Sequence, residues 1–295
     1  MSLALALAAS LLWGGSDFLG GSLSRRMATF DVLALSQSSA AVLLTGYVVA
    51  TGAWYTLDPA LLWALAAGVA WTLGVGAFYS ALATGTMGVV APIAACGVMV
   101  PVLAGLVSGE RPSPVQLLGI ALGVAGAVAA AGPDLTARGP RSRHARPVLL
   151  ATLTAVLFGV EILFLAKAGR ASVPLTLVSM RLASLTCLGL AVAAMRRRLP
   201  GAARHACVRP EVVPAVSVAV GILLGSLDLL ATAAYTAATR QGLVSLVAVA
   251  ASLYPVVTVL LARQVHAERL RGVQSFGVAA ACAGAVCIGL GGLAP

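Results

Sequence analysis

Four ionisable side chains interrupt runs of sequence that are otherwise apolar for about twenty residues at a time: Asp17, Glu161, Arg181 and Asp228. An ionised side chain at the centre of a bilayer costs at least about 2.5–3.5 kcal/mol on insertion scales, so each of the four needs a partner or a task. Asp17 follows the pair Trp13-Gly14, and Glu161 follows Phe158-Gly159. On a helix, Trp13 and Asp17 share a face, and Phe158, Glu161 and Phe164 are expected close together on one face. An aromatic wall beside a carboxylate can hold a cation or an amine. Loss of water disfavours the charged form of an acid, which also suits such a group to proton exchange. Asp228 shares its face with Thr232 and Tyr235. Arg181 can neutralise Glu161 or Asp228, bridge two helices, or bind a substrate carboxylate. One arginine cannot neutralise three acids, so at least one acid is expected to be protonated, hydrated or cation-bound. Asp17 and Glu161 are the candidates for coupling. The expected substrate or ion pathway comprises Trp13, Asp17, Tyr79, Glu161, Arg181, Asp228 and Tyr235. Pro92 and Pro101 in one apolar run, and Pro255 in another, are expected to kink helices that line it, because proline removes a backbone hydrogen bond.

Other chemistry finds no foothold. There is no Walker motif, no complete dinucleotide fingerprint and no zinc HExxH. "GVGAFYS" at Gly74 lacks the third glycine. The five cysteines have no metal-ligand spacing, and His144, His205 and His266 are expected to be solvated loop residues. No catalytic residue, metal or cofactor is expected beyond a coupling proton, and the chain is not read as an enzyme.

The elements that must carry these residues follow from composition. The 295 residues are 60% hydrophobic and 9% charged, too few charges to cover a soluble globule of this size. Apolar blocks fall at about 3–22, 30–51, 60–83, 86–107, 113–131, 147–166, 173–195, 212–235, 242–262 and 272–292. Backbone groups in lipid must be satisfied internally, so blocks of this length are helical. The expected fold class is all-α: a multi-pass protein with ten transmembrane helices, set in the cytoplasmic membrane. "MSLALALAASLLWGG" lacks a basic start and is read as the first span rather than a leader. The net charge of +10 comes from arginine clusters between apolar blocks, which points to lipid rather than nucleic acid as partner.

"ERPSPVQLLGIALGVAGAV", from Glu110, returns as "ERLRGVQSFGVAAACAGAV", from Glu268, with ten of nineteen positions identical 158 residues on. The chain therefore divides into a first five-helix repeat at 1–131, a basic linker at 132–146 and a second repeat at 147–295. Five crossings start the second repeat on the opposite side of the membrane, which makes the two halves inverted repeats, as in secondary transporters. In the aligned repeats Thr72 is the counterpart of Asp228 and Gln37 that of Arg181. Glycines and alanines of the fifth and tenth helices (Gly119, Gly123, Gly126; Gly277, Ala281, Gly284) are expected to pack those helices together. The loops after odd-numbered helices hold 14 basic residues and those after even-numbered helices 4, which places the termini outside.

"LLWGGSDFLGG", "FYSALATG" and the twice-used Glu-Arg…Val-Gln..Gly…Ala-Gly pattern resemble the EamA branch of the drug/metabolite transporter superfamily, over nearly the whole chain. The resemblance implies a ten-helix, two-repeat bundle around a central cavity. It implies a small-molecule substrate, often an amino acid or related compound, often moved outward. It also implies cytoplasmic termini and a basic loop between the second and third helices, against the arginine count and against "TGAWYTLDPA". In the superfamily's small multidrug transporters a first-helix glutamate couples protons, and Asp17 and Glu161 lie in the matching helices. The expected function is proton-coupled export by alternating access, in a monomer or weak dimer. A nutrient importer of the same fold and a non-transporting scaffold or regulatory subunit are the alternatives.

Overall fold

The computed structural model describes residues 1–52, 58–85, 90–91, 93–94, 96–130, 141–170, 172–198, 215–266 and 272–291. These are helical almost throughout, and none of the described residues forms a strand. In chain order the helices are α1 (Ser2–Ser24), α2 (Thr29–Thr51), α3 (Leu61–Thr84), a 3-10 turn (Cys96–Val98) leading into α4 (Met99–Val107), α5 (Pro114–Ala130), α6 (Arg141–Gly169), α7 (Val173–Arg198), α8 (Ala215–Thr239), α9 (Val244–Ala251), α10 (Tyr254–His266) and α11 (Gly272–Gly291). Among the described residues, seven helical segments are long and apolar enough to cross a membrane, with Val244–His266 taken as one.

Three sequence expectations change. The stretch expected as linker to residue 146 is helical from Arg141, with Pro147 inside α6. His144 accordingly lies in a helix. His266 is the last residue of α10, where it is half-buried and pairs with the Ser22 hydroxyl at 2.9 Å, rather than being a solvated loop residue. Pro92, His205, Cys207 and the first part of the linker lie outside the described residues.

The two halves interlock. α1 packs most extensively on α8, and its counterpart α6 packs most extensively on α3, so the first helix of each half lies on the third helix of the other. α2 meets α8 as α7 meets α3; α2 meets α7, and α5 meets α11. Each of these inter-half pairings thus has its mate with the halves exchanged. Within a half the same helices meet less extensively, as α1 and α3 do.

Small residues let these helices approach. A Cβ on Gly284 of α11 would strike the backbone of Gly119 and Gly123 in α5, in keeping with the packing role expected of that glycine series. Hydroxyls tie glycine carbonyls across the two halves: Thr154 donates to Gly74 at 3.3 Å, Ser184 to Gly68 at 3.1 Å and Thr258 to Gly14 at 3.1 Å.

The twice-written stretch acquires a physical meaning in its first copy. The Glu110 carboxylate accepts the N–H groups of Val244 at 2.9 Å and Ser245 at 3.1 Å, so a loop of the first half caps α9 of the second. Ser113 and Gln116 form a reciprocal capping box at the start of α5: the Ser113 N–H donates to Gln116 Oε1 at 2.8 Å, and the Gln116 N–H to Ser113 Oγ at 3.3 Å. Pro114 follows at the first helical position, where its missing N–H costs nothing.

Candidate functional site

A cavity opens between the halves. α1 contributes Trp13, Ser16 and Asp17; α3 contributes Trp71, Val75 and Tyr79; α6 contributes Phe158, Gly159, Glu161 and Ile162. The 3-10 turn before α4 and the break between α9 and α10 close further walls, the latter with Ser252 and Tyr254. Asp228 of α8 completes the lining from the second half.

The breaks follow from proline chemistry. Pro255 cannot donate to the carbonyl of Ala251, and its ring disfavours helical backbone at the preceding residue. α9 therefore stops at Ala251 and α10 starts at Tyr254. Pro101 stands in the same relation to Gly97, where the chain narrows to the 3-10 turn. The kink expected at Pro255 is thus a break one turn ahead of it.

Each break is held by the aromatic-glycine pair of the opposite half. A Cβ on Gly14 would strike Val257 and the Tyr254 carbonyl; a Cβ on Gly159 would strike the Gly97 carbonyl and Val100. The glycines allow backbone contact, and the aromatic neighbours Trp13 and Phe158 face the cavity.

The charges divide unequally. Arg181 Nη2 binds Asp228 Oδ2 at 2.6 Å, and its Nη1 donates to Gln37 Oε1 at 2.8 Å. The guanidinium also lies 5.4 Å from the centre of the Trp71 ring. Arg181 is 2% exposed and Asp228 4%, so the pair is buried at the meeting of four helices, α2, α3, α7 and α8. Gln37 and Arg181, counterparts in the two repeats, touch because α2 and α7 cross each other.

Asp17 and Glu161 have no such relief. Neither has an ion-pair or hydrogen-bond partner among the described residues. Glu161 is 3% exposed with Oε1 unpartnered, and the Tyr254 hydroxyl beside the same cavity is also unpartnered at 8% exposure. Buried polar atoms without partners are rare in folded chains and point to a missing ligand, water or proton.

Of the expected pathway residues, the structure brings Trp13, Asp17, Tyr79, Glu161 and Asp228 to one cavity. Arg181 stands behind Asp228. Tyr235 stands behind Trp13, ring centres 5.5 Å apart, and donates to the Ile162 carbonyl at 3.2 Å. Phe164 turns away to pack on Trp63 at 5.2 Å, because six residues rotate a helix by about 240° relative to Phe158. Trp71 and Tyr254 escaped the sequence reading. A signal existed for both: Trp71 precedes Thr72, the repeat counterpart of Asp228, and Tyr254 precedes Pro255.

The EamA-like transporter family model matches residues 1–131 and 145–290. The chain belongs to the EamA-like transporter family, and it is a multi-pass membrane protein. A solved structure titled only "Crystal structure of protein" shares the fold, with a TM-score of 0.70 and 20% identity over 98% of this chain and 96% of that one. The comparison with curated proteins gave no significant match.

Proposed function

We propose that the chain is a proton-coupled secondary transporter that exports a small metabolite across the cytoplasmic membrane. Two inverted five-helix repeats, at 1–131 and 147–295, give ten crossings and two exchangeable conformations, so that the shared cavity faces each side in turn. The reciprocal packing of the halves supports this arrangement. Trp13, Asp17, Tyr79 and Glu161 line the pathway, Asp228 is held by Arg181, and the breaks at Pro101 and Pro255 supply the walls that rearrange. One observation carries the proposal: two unpartnered carboxylates, Asp17 and Glu161, face a cavity between the halves while the third acid is already neutralised.

The test is flux. Purified protein in liposomes with an imposed pH gradient is challenged with a panel of metabolites, and internal pH is followed with a trapped dye. At least one compound should dissipate the gradient, and Asp17→Asn and Glu161→Gln should abolish that response. Proton-independent flux that survives both substitutions removes the coupling role, and absence of any flux favours a non-transporting scaffold. In cells, overproduction should raise tolerance to a toxic substrate; lowered tolerance would identify an importer.

A further inference from the structure

We infer that the ligand of this cavity is an organic cation, an amine without a carboxylate, rather than a zwitterionic amino acid. The inference rests on the transport reading only in taking the cavity as the place where substrate sits. The observation behind it is the charge balance of the lining. Among the described lining residues there are three carboxylates and no cationic side chain. Arg181 spends its two terminal nitrogens on Asp228 and Gln37, leaves Nε without a partner and lies outside the lining. Asp228 is thereby neutralised, which leaves Asp17 and Glu161 facing the cavity.

A ligand carboxylate would meet these two acids with no cationic side chain among the described lining residues to receive it, and like charges in a poorly hydrated site repel strongly. An ammonium meets two acceptors that lack partners, one of them almost completely buried. The walls suit the same chemistry. Trp13, Trp71, Tyr79, Phe158 and Tyr254 bring aromatic rings to the same lining as the acids, and cations bind ring faces, more strongly when water is excluded. The free Tyr254 hydroxyl can donate to a carboxylate or accept from an ammonium.

Three compounds that share a phenyl ring separate the possibilities: phenethylammonium, phenylalanine and 3-phenylpropionate. Saturable binding of each radiolabelled probe to the purified full-length chain in detergent is measured by scintillation proximity. Phenethylammonium should bind roughly tenfold or more tightly than phenylalanine, and 3-phenylpropionate should not compete, because an unpaired like charge in a buried site costs at least that much. Asp17→Asn and Glu161→Gln should each weaken the amine by a similar factor, while Asp31→Asn, which removes an exposed acid from the first turn of α2, should leave it unchanged. Equal or tighter binding of phenylalanine, or no saturable amine binding by a chain whose helicity is intact, overturns the inference. Amine selectivity without flux in liposomes would sink the transport reading and leave the ligand class standing. Flux of amino acids with no amine preference would do the reverse.

Discussion

At the scale of single residues, the buried pair Arg181–Asp228 carries a firm consequence. Removing the arginine leaves a carboxylate 4% exposed with no counter-charge, whereas replacing both members with apolar groups removes the need for one. Arg181→Met should therefore cost about 3–5 kcal/mol and lower the apparent melting temperature in detergent. Arg181→Met with Asp228→Leu should recover most of that loss. An unchanged melting temperature for the single variant would mean that Asp228 is neutralised by something other than Arg181. The sequence exposed these residues readily, because a charge within an apolar run is conspicuous. It hid Trp71 and Tyr254, because aromatic residues in such runs face cavity, core or lipid without changing the pattern. Trp63, which is 41% exposed, and Trp71, which is 6% exposed, sit in the same helix and look alike as letters.

At the scale of elements, the contacts that form the cavity walls are crossings of a glycine on a broken helix. Gly159 meets the Gly97 carbonyl, a backbone atom that cannot rotate away, whereas Gly46 has nothing within 4 Å of an added Cβ. Gly159→Ala should thus separate α6 from the 3-10 turn at a cost of about 1–3 kcal/mol, the usual range for overpacking a core. Gly46→Ala, on an open face of α2, should leave stability unchanged or raise it by up to about 1 kcal/mol through helix propensity. Thermal melts of the two variants side by side check the contrast, and equal effects would show that the crossing yields more easily than its backbone contact implies. The aromatic-glycine pairs were visible in the sequence beside Asp17 and Glu161. Their purpose was not, because contact between the first helix of one half and the fourth of the other is a tertiary fact. Glu110 is similar: its recurrence at Glu268 marked it, but only the fold shows that its carboxylate caps α9 of the other half.

At the scale of the molecule, the repeat announced two copies of one unit but not how they pack. Helices bordered by lipid on one side and protein on the other are apolar on both, so periodicity could not say which faces meet. The reciprocal pairing of α1 with α8 and of α6 with α3 shows the copies threaded through one another, so each half's first and third helices find their main partners in the other half. The five crossings per half proposed above would set the second copy inverted across the membrane. A topology reporter fused to the N-terminus and one fused to the C-terminus should then report the same side, and a reporter inserted in the basic stretch before Arg141 should report the opposite side. The 14 basic residues in the loops after odd-numbered helices, against 4 after the even-numbered ones, further predict that this inserted reporter is cytoplasmic and both termini are outside. Termini on opposite sides would break the inverted geometry. Termini together on the cytoplasmic side would keep the geometry and show that interlocked packing, rather than loop arginines, sets the orientation of this chain.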